Sequence, residues 1–183
     1  MGWFEHVSDA VYDAVAAAMG LDPGLQSTVD RIVPAYVPGV TTPQYNSNDN
    51  VIFYDLSEES TPEAGWVSIR NEENMLNITQ VIPVSLLLTF YGPNSDNDAE
   101  KVRSRLLVDQ GAGSPRAILR SNHIVFNYGL GRMPPRPVSR PELEGTLWRR
   151  RCDLRLSMSY LCTDELETTT VEKVPEVELK VAE

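Results

Sequence analysis

Near the start of the chain, apolar side chains recur every three or four residues: Trp3, Phe4, Val7, Ala10, Val11, Ala14, Val15 and Ala18. This spacing predicts an amphipathic helix over 3–19. Glu5, Asp9 and Asp13 share the opposite face, and acids suit a helix start. Gly20 ends the helix, and Asp22-Pro23-Gly24 makes a turn. Residues 25–33 leave room for one short helical turn. The prolines from Pro34 onward and the polar run to Asn50 predict a long loop or arm over 34–50.

The period then changes from helical to alternating. Strands are predicted at 51–56 (VIFYDL) and, after an acidic turn at 57–65, at 66–70 (WVSIR). The longest β-like run is 75–91. Ile82, Val84, Leu86, Leu88 and Phe90 point one way; Val81, Pro83, Ser85, Leu87, Thr89 and Tyr91 point the other. Both faces carry apolar residues, so this strand is expected to be central and covered on both sides. Pro83 lacks a donor, which suggests a bulge or an edge segment.

A second helix follows, with Asn97 as N-cap and Glu100 completing a capping box. Ala99, Val102 and Leu106 form its buried stripe; Asp98, Lys101 and Arg105 share an outer face and pair along it. Residues 116–122 read as a short turn and 123–129 as a strand. Prolines exclude a helix from 129–147, a second long loop. Residues 148–162 alternate cleanly: Cys152, Leu154, Leu156, Met158, Tyr160 and Cys162 inward, Arg151, Asp153, Arg155, Ser157 and Ser159 outward. Residues 171–181 alternate again, so 165–183 is expected to return as a C-terminal hairpin strand. The whole chain, 1–183, reads as a single domain.

The net charge of −10 is unevenly placed. Residues 101–155 hold 12 of the 16 basic residues and four acids, a balance of +8, against −18 elsewhere. Such a chain presents surfaces of opposite sign. No apolar run approaches the ~20 residues of a membrane helix, so no membrane partner is expected. The N-terminus is acidic and does not read as a secretory signal.

Catalytic, cofactor and metal motifs are not found. His6 and His123 have no Cys or acid at metal-ligand spacing. Cys152 and Cys162 lie roughly 33 Å apart on a straight strand, whereas a disulfide spans at most ~7 Å between Cα atoms. They read as buried thiols in a reducing compartment. GAGSP (111–115) lacks the Lys-Ser/Thr of a phosphate loop, and GLGRMP (129–134) lacks the third glycine of a dinucleotide loop. The concentrated cationic feature is 132–151. Arg132, Arg136, Arg140, Trp148, Arg149 and Arg151 are the candidate inter-subunit or partner interface, with arginine suited to carboxylate or phosphate. Arg150 shares the parity of the buried set and should reach a carboxylate or carbonyl. Thin aromatic interleaving and an acidic total favour an acidic protein surface over nucleic acid.

The order of these parts resembles the neck terminator, or tail terminator, proteins of tailed bacteriophages. Two segments carry the resemblance: VSLLLTFYGPNSDNDAEKVRSRLL (84–107), a strand–Tyr-Gly–helix step, and the Arg-led strand from Arg149 to Tyr160. It covers roughly 25–181. It implies an α+β fold: a twisted, mainly antiparallel sheet with two principal helices packed on it, plus long arms. It also implies a virion protein, assembled in the host cytoplasm, that forms a ring, usually hexameric. The ring would cap the tail tube protein, end its polymerisation and meet the head connector or head-completion protein. Genomic DNA would pass through the channel without specific binding. No enzyme activity and no cofactor are implied. The alternatives are another head-completion or baseplate component and, from a different class, a nucleic-acid-binding module using the 132–151 arginines.

Overall fold

The computed structural model describes residues 2–35, 45–46, 48–58, 67–72, 75–128, 133–144 and 147–167; the side chains of 67–78, 144, 147 and 164–167 are outside that description. The element order is α1 (Trp3–Met19), α2 (Gln26–Val29), β1 (Ile32–Pro34), β2 (Val51–Glu58), β3 (Val67–Glu72), β4 (Met75–Tyr91), α3 (Ser95–Arg105), α4 (Pro115–Ser121), β5 (Ile124–Phe126), β6 (Val138–Ser139), β7 (Glu142–Glu144), β8 (Leu147–Arg149) and β9 (Arg151–Glu167). The fold is α+β.

The main sheet runs β1-β2-β4-β9-β5, with β3 also on β4 and β6 also on β9. Its strand pairs are antiparallel except β1 with β2. The register builds the core in rows. Ile52 lies opposite Phe90, and Phe90 opposite Cys152; Tyr54, Leu88 and Leu154 form the next row, then Leu56, Leu86 and Leu156. These side chains are buried on one sheet face under Val7, Val11 and Val15 of α1, Ala99 and Val102 of α3, and Leu119 of α4. Period-two alternation on the strands and the three-four spacing on α1 therefore meet at one interface.

α1 keeps its expected bounds, and Gly20 closes it with a left-handed φ of 73°. Two expectations for α3 are corrected. Its N-cap is Asn94, not Asn97, so the Asn97–Glu100 capping box is not formed. The helix starts earlier because Gly92 turns the chain sharply and the Asn94 N–H donates to Asn50 Oδ1 at 2.9 Å. Asp98, Lys101 and Arg105 also do not pair along an outer face. Asp98 binds Arg31 at 2.7 Å. Lys101 Nζ donates to the Met19 carbonyl at 2.7 Å and Arg105 Nη1 to the Ala18 carbonyl at 3.2 Å. The last turn of α1 has no cation of its own, so α3 supplies the charge that its unpaired carbonyls favour.

Several elements differ from the expected pattern. Ile32–Pro34 is strand β1, paired with β2, and the strand expected over 148–162 is broken at Arg150: 148–149 belong to β8, and β9 starts at Arg151. Residues 116–121 are helical within α4, started by Pro115 in the first turn. The 129–147 segment is not a plain loop: β6 joins the sheet edge, and β7 and β8 form a hairpin with Leu143 opposite Trp148. β9 continues through Glu167 opposite Met75, so 165–167 is strand rather than the start of a C-terminal hairpin. The expected strand at 171–181 lies outside the described residues. Pro83 sits in the interval 81–83, between the stretches of β4 paired with β2 and with β3. It is a local edge, where a missing donor leaves no ladder bond unmade.

Candidate interaction surface

The second face of the sheet decides what the molecule can contact. β4 is not covered on both sides as its pattern suggests. Val81, Pro83, Ser85, Leu87 and Tyr91 are only half-buried. Their neighbours explain this: Ser85 faces Ser157 and Ser57, Leu87 faces Arg155 and Asp55, and Thr89 faces Asp153. A face with this many polar groups gains little from being taken out of water.

One end of this open face is built around Tyr91. Its ring meets Phe53 edge-on at 5.7 Å between centroids, and Phe53 meets Tyr45 likewise at 5.6 Å. The Arg149 guanidinium lies 4.9 Å from the Tyr91 centroid, in cation–π range. The Tyr91 hydroxyl donates to Glu142 Oε2 at 2.8 Å. Burial and this hydrogen bond to Glu142 push the Tyr91 pKa up to about 12. Arg151 grips Asp153 with two bonds, of 2.8 and 3.2 Å, and reaches Glu142 at 3.3 Å. These bonds ties the β7–β8 hairpin to the main sheet. On the other side, Arg103 Nε of α3 donates to the Pro134 carbonyl at 2.9 Å and holds the start of the 133–140 segment.

Between that segment and the sheet lies a cleft of about 400 Å³ lined by Leu87, Pro135, Arg136, Val138, Arg140, Arg151, Asp153 and Arg155. Arg151 neutralises Asp153 within it. Arg136, Arg140 and Arg155 are exposed and have no side-chain hydrogen bond or ion pair among the described residues. Val138 of the cleft is exposed, as are Leu143 and Trp148 on the β7–β8 hairpin, Trp148 by 69 %.

The structure thus brings together Arg136, Arg140 and Arg151 of the sequence-based set. Trp148 and Arg149 sit on the adjoining hairpin, and Arg132 lies outside the described residues. Arg151 is corrected from an outward, available cation to a half-buried internal tie. Arg149 is likewise occupied, over Tyr91 and donating to the Asn46 carbonyl at 3.2 Å. Arg150 does approach a carbonyl, Pro93 O at 3.5 Å, but from an exposed position. Arg155, Leu87 and Val138 were missed as site residues. The signal for Arg155 was present, since it shares the outward parity of Arg151 and Asp153.

His6 packs against Tyr160 at 5.9 Å. Burial, then hydrogen bonding to Asp96, pushes the Cys152 thiol up to about 12. No group of His, Cys, Asp and Glu among the described residues is arranged to hold a metal ion. None of the described helices is long and apolar enough to cross a membrane.

One face of the sheet is thus packed under helices, and the other is left polar, charged and grooved. The family model of the phage neck terminator protein matches residues 8–183. The chain belongs to this family, whose role is structural, in head–tail joining or tail completion, and it is a component of the phage particle. No curated protein matches the sequence.

Proposed function

We propose that the protein is a ring-forming terminator, with a hexamer of identical subunits capping the tail tube, ending its polymerisation and joining it to the head connector or head-completion protein. The ring assembles in the host cytoplasm and encloses a channel for the genome. The observation that carries this reading is the family match over 8–183. The charge-sorted surface supports it: a closed ring needs two different patches on each subunit that fit each other. The strongly acidic remainder of the chain suits a channel wall, because like charge denies DNA the counterion release on which binding depends. The protein catalyses no reaction in this role.

Sedimentation at micromolar concentration, and electron microscopy of the purified protein mixed with tail tube protein, test the reading. Rings, and tubes whose lengths stop growing on addition of the protein, are expected. A protein that stays monomeric alone and on assembled particles would overturn it. A second reading has one observation in its favour, the unpartnered arginines of the cleft: a nucleic-acid-binding module. It requires retention on DNA that falls steeply with salt.

A further inference from the structure

We propose that the arginine cleft on the open sheet face receives the acidic outer face of α1 from a second copy of this chain, in a head-to-tail contact; this inference rests on the ring reading.

The charges match in kind and number. Glu5, Asp9 and Asp13 are exposed along one side of α1. Arg136, Arg140 and Arg155 stand exposed around the cleft without partners among the described residues. The dimensions also match. At ~1.5 Å per residue, Glu5 to Asp13 spans ~12 Å along the helix. Arg140 enters the sheet beside Arg151, its N–H donating to the Arg151 carbonyl at 2.8 Å. Arg151 to Arg155 covers ~13 Å at ~3.3 Å per residue. The carboxylate stripe and the stretch of sheet from Arg140 to Arg155 are therefore of similar length.

The two patches cannot satisfy each other within one molecule. α1 packs on one face of the sheet, whereas the cleft opens on the other. Contact between copies is then heterologous, the kind that forms a ring when its rotation closes. α1 carries no basic residue on that stripe, and its acids crowd one another: burial and the nearby Asp9 charge raise the Asp13 pKa. Guanidiniums from a neighbour relieve that repulsion. Val138 in the cleft, and Leu143 and Trp148 on the β7–β8 hairpin, add exposed apolar surface, the mix typical of an interface with a charged periphery.

Charge reversal tests the contact. Asp9→Lys/Asp13→Lys and Arg136→Glu/Arg140→Glu should each keep the circular dichroism and melting behaviour of the unaltered protein yet sediment as monomers. Mixed in equal amounts, the two variants should reassemble, since every contact then pairs opposite charges; one chain carrying all four changes should assemble alone. Milder variants, Asp9→Asn/Asp13→Asn and Arg136→Gln/Arg140→Gln, should weaken assembly at least tenfold if the stronger changes disturb folding. Normal assembly of each reversed variant would overturn the contact while leaving the ring reading intact. Unaltered protein that never forms rings would instead remove the ring reading itself. If Arg136→Glu/Arg140→Glu assembles normally but loses salt-dependent retention on DNA, the cleft belongs to nucleic acid and the contact is refuted.

Discussion

Gly92 shows how much one residue controls in this fold. Its φ of 103° is left-handed, and a Cβ there would sit 2.5 Å from the Asp49 carbonyl oxygen. The Tyr-Gly step therefore needs glycine for both its backbone angle and its close approach to Asp49 and Asn50. Gly92→Ala is expected to cost about 2 kcal/mol or more in urea denaturation. At Cys152, burial leaves little thiolate at pH 8, with the pKa pushed up to about 12. Cys152 should stay unreactive to a thiol reagent until the protein unfolds, while half-buried Cys162 reacts first; rapid labelling of both in folded protein would contradict the burial. Tyr91 and Cys152 shift in the same direction, from ordinary values of 10.0 and 9.0 to about 12. Between those limits the folded state holds protons that the unfolded chain releases, so stability falls with rising pH. The urea midpoint should be unaffected by these groups below pH 9 and decline from there towards pH 12.

Among the elements, α1 and α3 depend on each other through the Lys101 and Arg105 bonds to the end of α1. Replacing both cations by methionine is expected to lower stability by about 1–2 kcal/mol and to raise amide exchange selectively in the last turn of α1. Much of this level was legible in the sequence. α1, β2, β4 and β9 announce themselves because their periodicity is the periodicity of burial, and Leu154, Leu156 and Met158 are fully buried as the alternation requires. What stayed hidden depends on distant partners. The Asn94 N-cap follows from Asn50, far away in the chain. The role of Lys101 and Arg105 follows from where α1 ends in space. β1 and β6 are too short for any period and exist because β2 and β9 offer them a ladder. The candidate site divides in the same way: Arg136 and Arg140 were visible as a cationic run, whereas the occupation of Arg151 by Asp153 and Glu142 requires the folded hairpin.

At the scale of the whole molecule, the helices and the middle of the sheet share one hydrophobic core. Leu154 lies in it at 0 % exposure, in the row with Tyr54 and Leu88. Leu154→Asp is expected to abolish soluble folding, because an unpaired carboxylate there costs several kcal/mol against a marginal total. A soluble variant with native circular dichroism would show that the register is misassigned. The strands continue past that core. Among the β4 side chains that are described, Ile82 is the first to be buried, and β4 reaches back to Met75, paired with β3 on one side and with β9 out to Glu167 on the other. At ~3.3 Å per residue, this gives a three-stranded beam of roughly 23 Å running on from the row of Ile82. Such a beam is a lever: a tilt of about five degrees at that row moves the far end by about 2 Å. The unbroken β4–β9 ladder thus joins the backbone at Met75 and Glu167 to the rows where Ile82 and Tyr160 pack, so a change of packing there is magnified at the far end.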